Sequence, residues 1–204
     1  TISQVENLNA AGFFTATELK DIVIANIGDS RLQQSDIQVN LLVGENGSSL
    51  QASFRVTAVN AARVETIVGA DQVRAFLEHS PAHATGEVTN LTQLALISGG
   101  VLSLGGTVQA GNTTLALNGL TSAQVTNLRG VNFFTAKQEG MLNILMTGLG
   151  DVKLEASGLQ INLVGNEAGN DLQVGGVVTL ANAGVLEEAF GQDAVRGMLG
   201  INHE

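Results

Sequence analysis

His79 and His83 lie four residues apart, the spacing with which a helix aims two imidazoles at one metal ion. Pro81 stands between them and makes a continuous helix improbable there, so the pair reads as two solvated side chains in a linker. His203 sits next to the last residue. Gly99-Gly100 and Gly105-Gly106 are not followed by the Lys and helix that a phosphate-cradling loop needs, and they read as turn glycines. Ser30, Ser35 and Ser103 belong to no nucleophile elbow, so a Ser–His–acid arrangement has no support. The absence of cysteine excludes disulfides, thiolate zinc sites, iron–sulfur clusters and a Cys nucleophile. The chain therefore reads as non-enzymatic, with no catalytic residue to name.

Two oxygen-rich turns are the remaining chemical candidates. Gly44–Ser49 carries Glu45 and Asn46, and Gly165–Asp171 carries Asn166, Glu167, Asn170 and Asp171. Carboxylates and amides on a flexible turn suit Ca²⁺, which takes six to eight oxygen ligands. The ordered D-x-[DN]-x-[DN]-G pattern is absent, and Asn, Asp and Gly are the ordinary residues of turns. Calcium is thus the only cofactor the sequence offers, beside the plainer reading of two hairpin turns. Asp29 and Asp151 read as residues of helix-ending loops.

The elements that must hold these residues belong to a chain of 204 residues, 44% hydrophobic and only 14% charged, with a net charge of −10. That length suits one large domain or two small ones, and the apolar content suffices for a core. The acidic balance argues against nucleic acid, which needs a basic face to displace counterions, and against anionic membranes. No apolar run approaches the roughly 18 residues of a membrane span, so membrane insertion is not expected. The first residue is Thr1. It fits Met removal, signal cleavage or an excised fragment. Few lysines, seven Phe as the only aromatics, and abundant Gly, Ala, Asn and Thr look like a bacterial surface or virion protein, with an extracellular or cell-surface location after signal cleavage.

An internal repeat organises the chain. Thr1, Gln4, Val5, Asn7, Leu8, Phe13, Phe14, Thr15 and Ala16 recur 120 positions later as Thr121, Gln124, Val125, Asn127, Leu128, Phe133, Phe134, Thr135 and Ala136. After a two-residue insertion the match resumes: Gln38, Asn40 and Leu41 meet Gln160, Asn162 and Leu163, and Asn60, Glu65, Gly69, Asp71, Val73 and Arg74 meet Asn182, Glu187, Gly191, Asp193, Val195 and Arg196. Identities held in order through one small gap mark a duplication rather than shared composition.

Each copy predicts the same elements. Ile2–Leu8 and Ser122–Leu128 read as strands. Thr15 and Thr135 are candidate caps of a following helix, with Leu19, Ile22, Val23 and Ile27, or Met141, Leu142, Leu145 and Met146, at helical spacing. Two alternating strands follow, joined in the first copy at Asn46-Gly47, a hairpin signal. A closing helix is expected from the N-cap Asn60 or Asn182, broken at Gly69 or Gly191. The predicted fold is α+β: two tandem strand–helix–strand–strand–helix modules, each an antiparallel sheet with helices on one face, over residues 1–80 and 121–204. Pro81 marks a linker, and the Gly-rich block that completes 81–120 reads as two or three strands.

Placed so, the opening strand of the second copy follows the middle block directly, while that of the first has no strand before it. An unpaired edge invites head-to-tail strand addition between copies. Ile2, Val5, Leu8, Phe13, Phe14, Phe133 and Phe134 are the candidate assembly residues, the Phe pairs either in the core or bridging layers. The expected function is a structural subunit that polymerises with copies of itself into a filament, surface layer or matrix. A virion tail-tube or decoration protein, and a module binding a small ligand between its halves, are the alternatives.

Overall fold

The computed structural model describes residues 1–13, 32, 34–44, 47–109, 112–150, 153–166 and 169–198. In chain order they form helix α1 (Ile2–Ala10), a 3-10 turn (Gln34–Asp36), strands β1 (Ile37–Gly44) and β2 (Gly47–Val56), and helices α2 (Ala61–Val68), α3 (Ala70–Leu77), α4 (Pro81–Ala84) and α5 (Leu91–Ser98). Strands β3 (Leu102–Gln109) and β4 (Asn112–Leu120) follow, then helices α6 (Ser122–Gly130) and α7 (Ala136–Gly148). A second 3-10 turn (Leu154–Ser157), strands β5 (Leu159–Asn166) and β6 (Gly169–Gly176), and helices α8 (Ala183–Phe190) and α9 (Gln192–Met198) complete the set.

The fold is α+β, built on one open six-stranded sheet in the order β1-β2-β3-β4-β5-β6, every neighbour antiparallel. Period-two alternation sorts the side chains. Ile37, Phe54, Leu104, Leu117, Leu163 and Leu172 lie opposite one another across all six strands, forming an apolar row on the covered face. One residue along, Gln38, Ser53, Gly105, Ala116, Val164 and Asp171 form a small and polar row on the other face. The core is continuous from Leu32 to Val195 and draws on both copies and the block between them. The β4–β5 ladder shifts register between Leu117 and Leu120. There Gly119 turns to φ +59, and its amide donates to Asn162 Oδ1 at 2.8 Å.

The opening segments correct the sequence reading: they are helices, not strands. In each, Thr and Gln three residues apart close a reciprocal capping box. Thr1 N donates to Gln4 Oε1 at 2.7 Å and Gln4 N to Thr1 Oγ1 at 3.3 Å; Thr121 N donates to Gln124 Oε1 at 2.9 Å and Gln124 N to Thr121 Oγ1 at 3.2 Å. Two orphan amides are satisfied at once, and this outweighs the strand-like run that follows. The start of the middle block is likewise helical. Asn90 Oδ1 accepts from Gln93 N at 2.9 Å to begin α5, and Gly99, at φ +71, ends it. The expected linker at Pro81 is a helical turn: Pro81 occupies a first-turn position, Ser80 caps it, and Ala82 is buried.

Other expectations hold. Thr135 caps α7 through a box with Gln138. Gly69 and Gly191, at φ +104 and +87, separate α2 from α3 and α8 from α9. Asp71 pairs with Arg74 at 2.8 Å on the exposed surface. Asn60 and Asn182 are buried at the N-cap positions of α2 and α8, as expected, but neither side chain bonds the first turn. Each accepts the amide of the residue three before it, Thr57 at 2.8 Å and Thr179 at 2.7 Å, and donates to the Arg55 or Val177 carbonyl. They plug the strand-to-helix corner in both copies. The first-copy helix expected after Thr15 lies outside the described residues.

Candidate assembly surface

Residues 80–120 are clasped from both sides. Toward the first copy, Leu91 N at the start of α5 donates to Glu65 Oε2 of α2 at 3.0 Å, and β3 pairs with β2. Toward the second, Ser80 Oγ donates to the Phe133 carbonyl at 2.6 Å, and β4 pairs with β5. Two side-chain amides of α6 complete this clasp. Gln124 Nε2 donates to the Val101 carbonyl at 3.0 Å, and Asn127 Nδ2 to the Ser98 carbonyl at 2.9 Å. Ser98 ends α5, where a helix leaves acceptors without intrahelical partners, and Val101 leads from the Gly99-Gly100 turn into β3.

The same residue types recur where no such block lies among the described residues. Gln4 and Asn7 stand on α1 as Gln124 and Asn127 stand on α6; Gln4 is exposed where Gln124 is buried, while Asn7 and Asn127 are both exposed. Leu8 is 39% exposed and Phe13 56%, whereas their counterparts Leu128 and Phe133 are 0% and 1% exposed. A cleft of about 490 Å³ opens beside α1, lined by Val5, Leu8, Val39, Leu41 and Leu50 together with the polar edge of the helix. At the other end, Glu187 on α8, the counterpart of Glu65, is exposed. The sheet edges match this pattern. Among the described residues β1 pairs only with β2 and β6 only with β5. Yet β5, the counterpart of β1, also pairs with β4, and β2, the counterpart of β6, also pairs with β3.

The candidate assembly residues thus divide. Ile2, Val5 and Leu8 lie on α1, and Val5 and Leu8 face the cleft. Phe13 is exposed just beyond α1, and Phe14 lies outside the described residues. Phe133 and Phe134 are 1% and 2% exposed, their rings edge to face with centroids 5.5 Å apart, so they belong to the core rather than to an outer surface. Sequence reasoning passed over Gln4, Asn7, Gln124, Asn127 and Glu65. Their signal is their identity in both copies, and a strand reading of the segment hides it, because a strand sets residues three apart on opposite faces.

Of the oxygen-rich turns, Glu45, Asn46 and Glu167 lie outside the described residues. Asn166 ends β5 opposite Gly169. Asn170 Nδ2 donates to the Phe76 carbonyl at 2.8 Å, and its own carbonyl accepts from Gln138 Nε2 at 2.6 Å, so this residue ties the hairpin to α3 and α7. Asp171, one position on, belongs to the opposite face. Among the described residues no group of three His, Cys, Asp or Glu side chains is placed to hold a metal ion, and His79 and His83 lie near α3 and in α4 without an acidic partner set.

One carboxylate has a perturbed titration. Glu155 accepts from Ser122 N at 2.9 Å and Ser122 Oγ at 3.0 Å at the start of α6. Its pKa is lowered first by its own backbone amide; burial, the next largest effect, opposes this, and the Ser122 backbone and hydroxyl donors and the charge of Lys153 add smaller lowering. These bonds anchor the start of α6.

Among the described residues no helix is long and apolar enough to cross a membrane. Comparison of the chain with protein-family models, curated proteins and solved structures gives no match.

Proposed function

We propose that the chain is a non-enzymatic structural subunit of two tandem modules joined by the 81–120 block, which packs head to tail with copies of itself into a filament, layer or matrix at the cell surface. The observation that carries this reading is the relation between the sheet edges. Among the described residues, both β1 and β6 lack the neighbour that their repeat counterparts β5 and β2 possess.

The strand addition envisaged here uses β1 and β6 and not the amino-terminal segment, which is helical. In a meander of six antiparallel strands the two outer strands run in opposite directions. A second copy set beside the first by translation therefore presents β1 antiparallel to β6, and the alternation continues. Such a contact joins two different surfaces, so it propagates unless the rotation closes a ring. Soluble proteins commonly guard an edge with lysine or proline; Gln38, Asn40 and Leu42 on the open face of β1 provide neither.

Size-exclusion chromatography with light scattering, and negative-stain microscopy, over a range of concentrations test the reading. Growth of ordered oligomers with concentration is expected, and Gln38→Lys with Asn40→Lys should suppress it without unfolding the chain. A monomer at every concentration overturns it.

A further inference from the structure

We infer that Asn118 is a site of spontaneous covalent modification, deamidation through a succinimide ring, and that Asn162 on the neighbouring strand holds the reaction in check. The inference does not depend on how copies of the chain pack.

The chemistry begins in the sequence. An Asn side-chain amide can be attacked by the main-chain nitrogen of the next residue, and a Cβ on that residue obstructs the approach, so Asn followed by Gly is the reactive pair. The chain has two such pairs, Asn46-Gly47 and Asn118-Gly119. Asn46 lies outside the described residues. Asn118 is half-buried near the end of β4 and Gly119 is exposed, so water reaches the second pair. The β4–β5 ladder shifts register between Leu117 and Leu120, and Gly119 sits in that shift at φ +59. Its amide donates to a side chain, Asn162 Oδ1 at 2.8 Å, at an exposed position.

That bond blocks the first step. The Gly119 nitrogen becomes a nucleophile only when its proton leaves to solvent, and Asn162 Oδ1 both engages the proton and fixes the direction of the N–H. The amide of Asn118 is held as well. Its Nδ2 lies 2.8 Å from the place a Cβ on Gly105 would take, so it rests over β3 where glycine leaves room. Local opening of the bulge releases both holds. The Gly119 nitrogen then bonds to Asn118 Cγ, and the side-chain nitrogen leaves as ammonia. Water that opens the ring at Cγ leaves aspartate. Water that opens it at the main-chain carbonyl leaves isoaspartate, with the chain rerouted through Cβ and longer by a methylene. Either product sets a new carboxylate opposite Ser103, and the second displaces Leu120 from its register with Ile161.

The test incubates the folded full chain at mildly alkaline pH and follows Asn118 by peptide mass spectrometry, which reads the replacement of NH2 by OH. Wild-type Asn118 should react more slowly than in the same chain unfolded in urea. Asn162→Ala should raise the folded-state rate by about three- to tenfold, the factor contributed by one hydrogen bond. Asn162→Asp, which keeps an acceptor, should stay near the wild type. Leu186→Ala empties a core position 1% exposed on α8, weakening the fold without touching the bond, and should also stay near the wild type. Equal rates in the wild type and Asn162→Ala overturn the proposal. So does Asn162→Asp reacting as fast as Asn162→Ala, or an equal rise in Leu186→Ala, since either traces the reaction to general loosening of the sheet.

Discussion

Asn127 reaches from α6 to the end of α5, its Nδ2 2.9 Å from the carbonyl oxygen of Ser98, a residue only 1% exposed. Removing the amide takes away a partly buried hydrogen bond. Asn127→Ala should cost about 0.5–1.5 kcal/mol in urea unfolding. The counterpart substitution Asn7→Ala, on an exposed residue of the same chain, should cost about 0.5 kcal/mol or less. Equal losses would mean that the two amides occupy equivalent surroundings.

The apolar positions beside these amides should differ in the same sense. Leu128 is 0% exposed and Leu8 39%. Leu128→Ala should destabilise by about 2–5 kcal/mol through lost burial and the cavity left behind. Leu8→Ala should cost about 1 kcal/mol or less. Thermal or denaturant unfolding of the two variants checks the ratio.

Gly99 and Gly12 both sit at positive φ, +71 and +68, but only Gly99 faces a neighbour, Asn127 Nδ2 at 2.8 Å from a notional Cβ. Gly12→Ala should show the backbone cost alone, about 1–2 kcal/mol. Gly99→Ala should cost clearly more and should loosen α5 from α6, visible as faster amide exchange in both helices.

Lowering the pH should weaken the start of α6. Glu155 titrates below its ordinary value of 4.5, so the unfolded chain takes up its proton first. The stability it contributes is complete above that value and is lost as the pH falls through the lowered one. Glu155→Gln should remove this part of the acid sensitivity while leaving the remaining carboxylates to act. A wild-type and variant pair with parallel stability curves between pH 5 and about pH 3 would refute it.

Much of the fold was legible in the residues. The alternating runs 37–44 and 47–56, with their counterparts, form the paired strands the period of two demands, and Thr135, Gly69 and Gly191 start and break helices where their chemistry requires. The opening segments were misread because Gln-Val-x-Asn-Leu fits a short strand as well as a helix. The decisive feature was Thr with Gln three residues later, a capping pair whose weight shows only when both reciprocal bonds form. The joining of both copies into one sheet was not legible. It depends on which strands β3 and β4 choose as outer neighbours, a long-range pairing that local pattern does not encode. The amide clasp is hidden for the same reason: Gln124 meets the Val101 carbonyl and Asn127 the Ser98 carbonyl across the turn at Gly99-Gly100, contacts that sequence spacing does not encode.

The bulge at Gly119 has a mechanical meaning. Pulling from one sheet edge to the other loads the ladders in series, each stretched along its hydrogen bonds, so the least complete one yields first. The β4–β5 ladder aligns only Ala116, Leu117 and Leu120 with partners, against seven or eight aligned pairs in each of the others. Tension would open the sheet at this seam, with the Asn170–Phe76 bond as the strap across it. The sheet would then give way first at a set place.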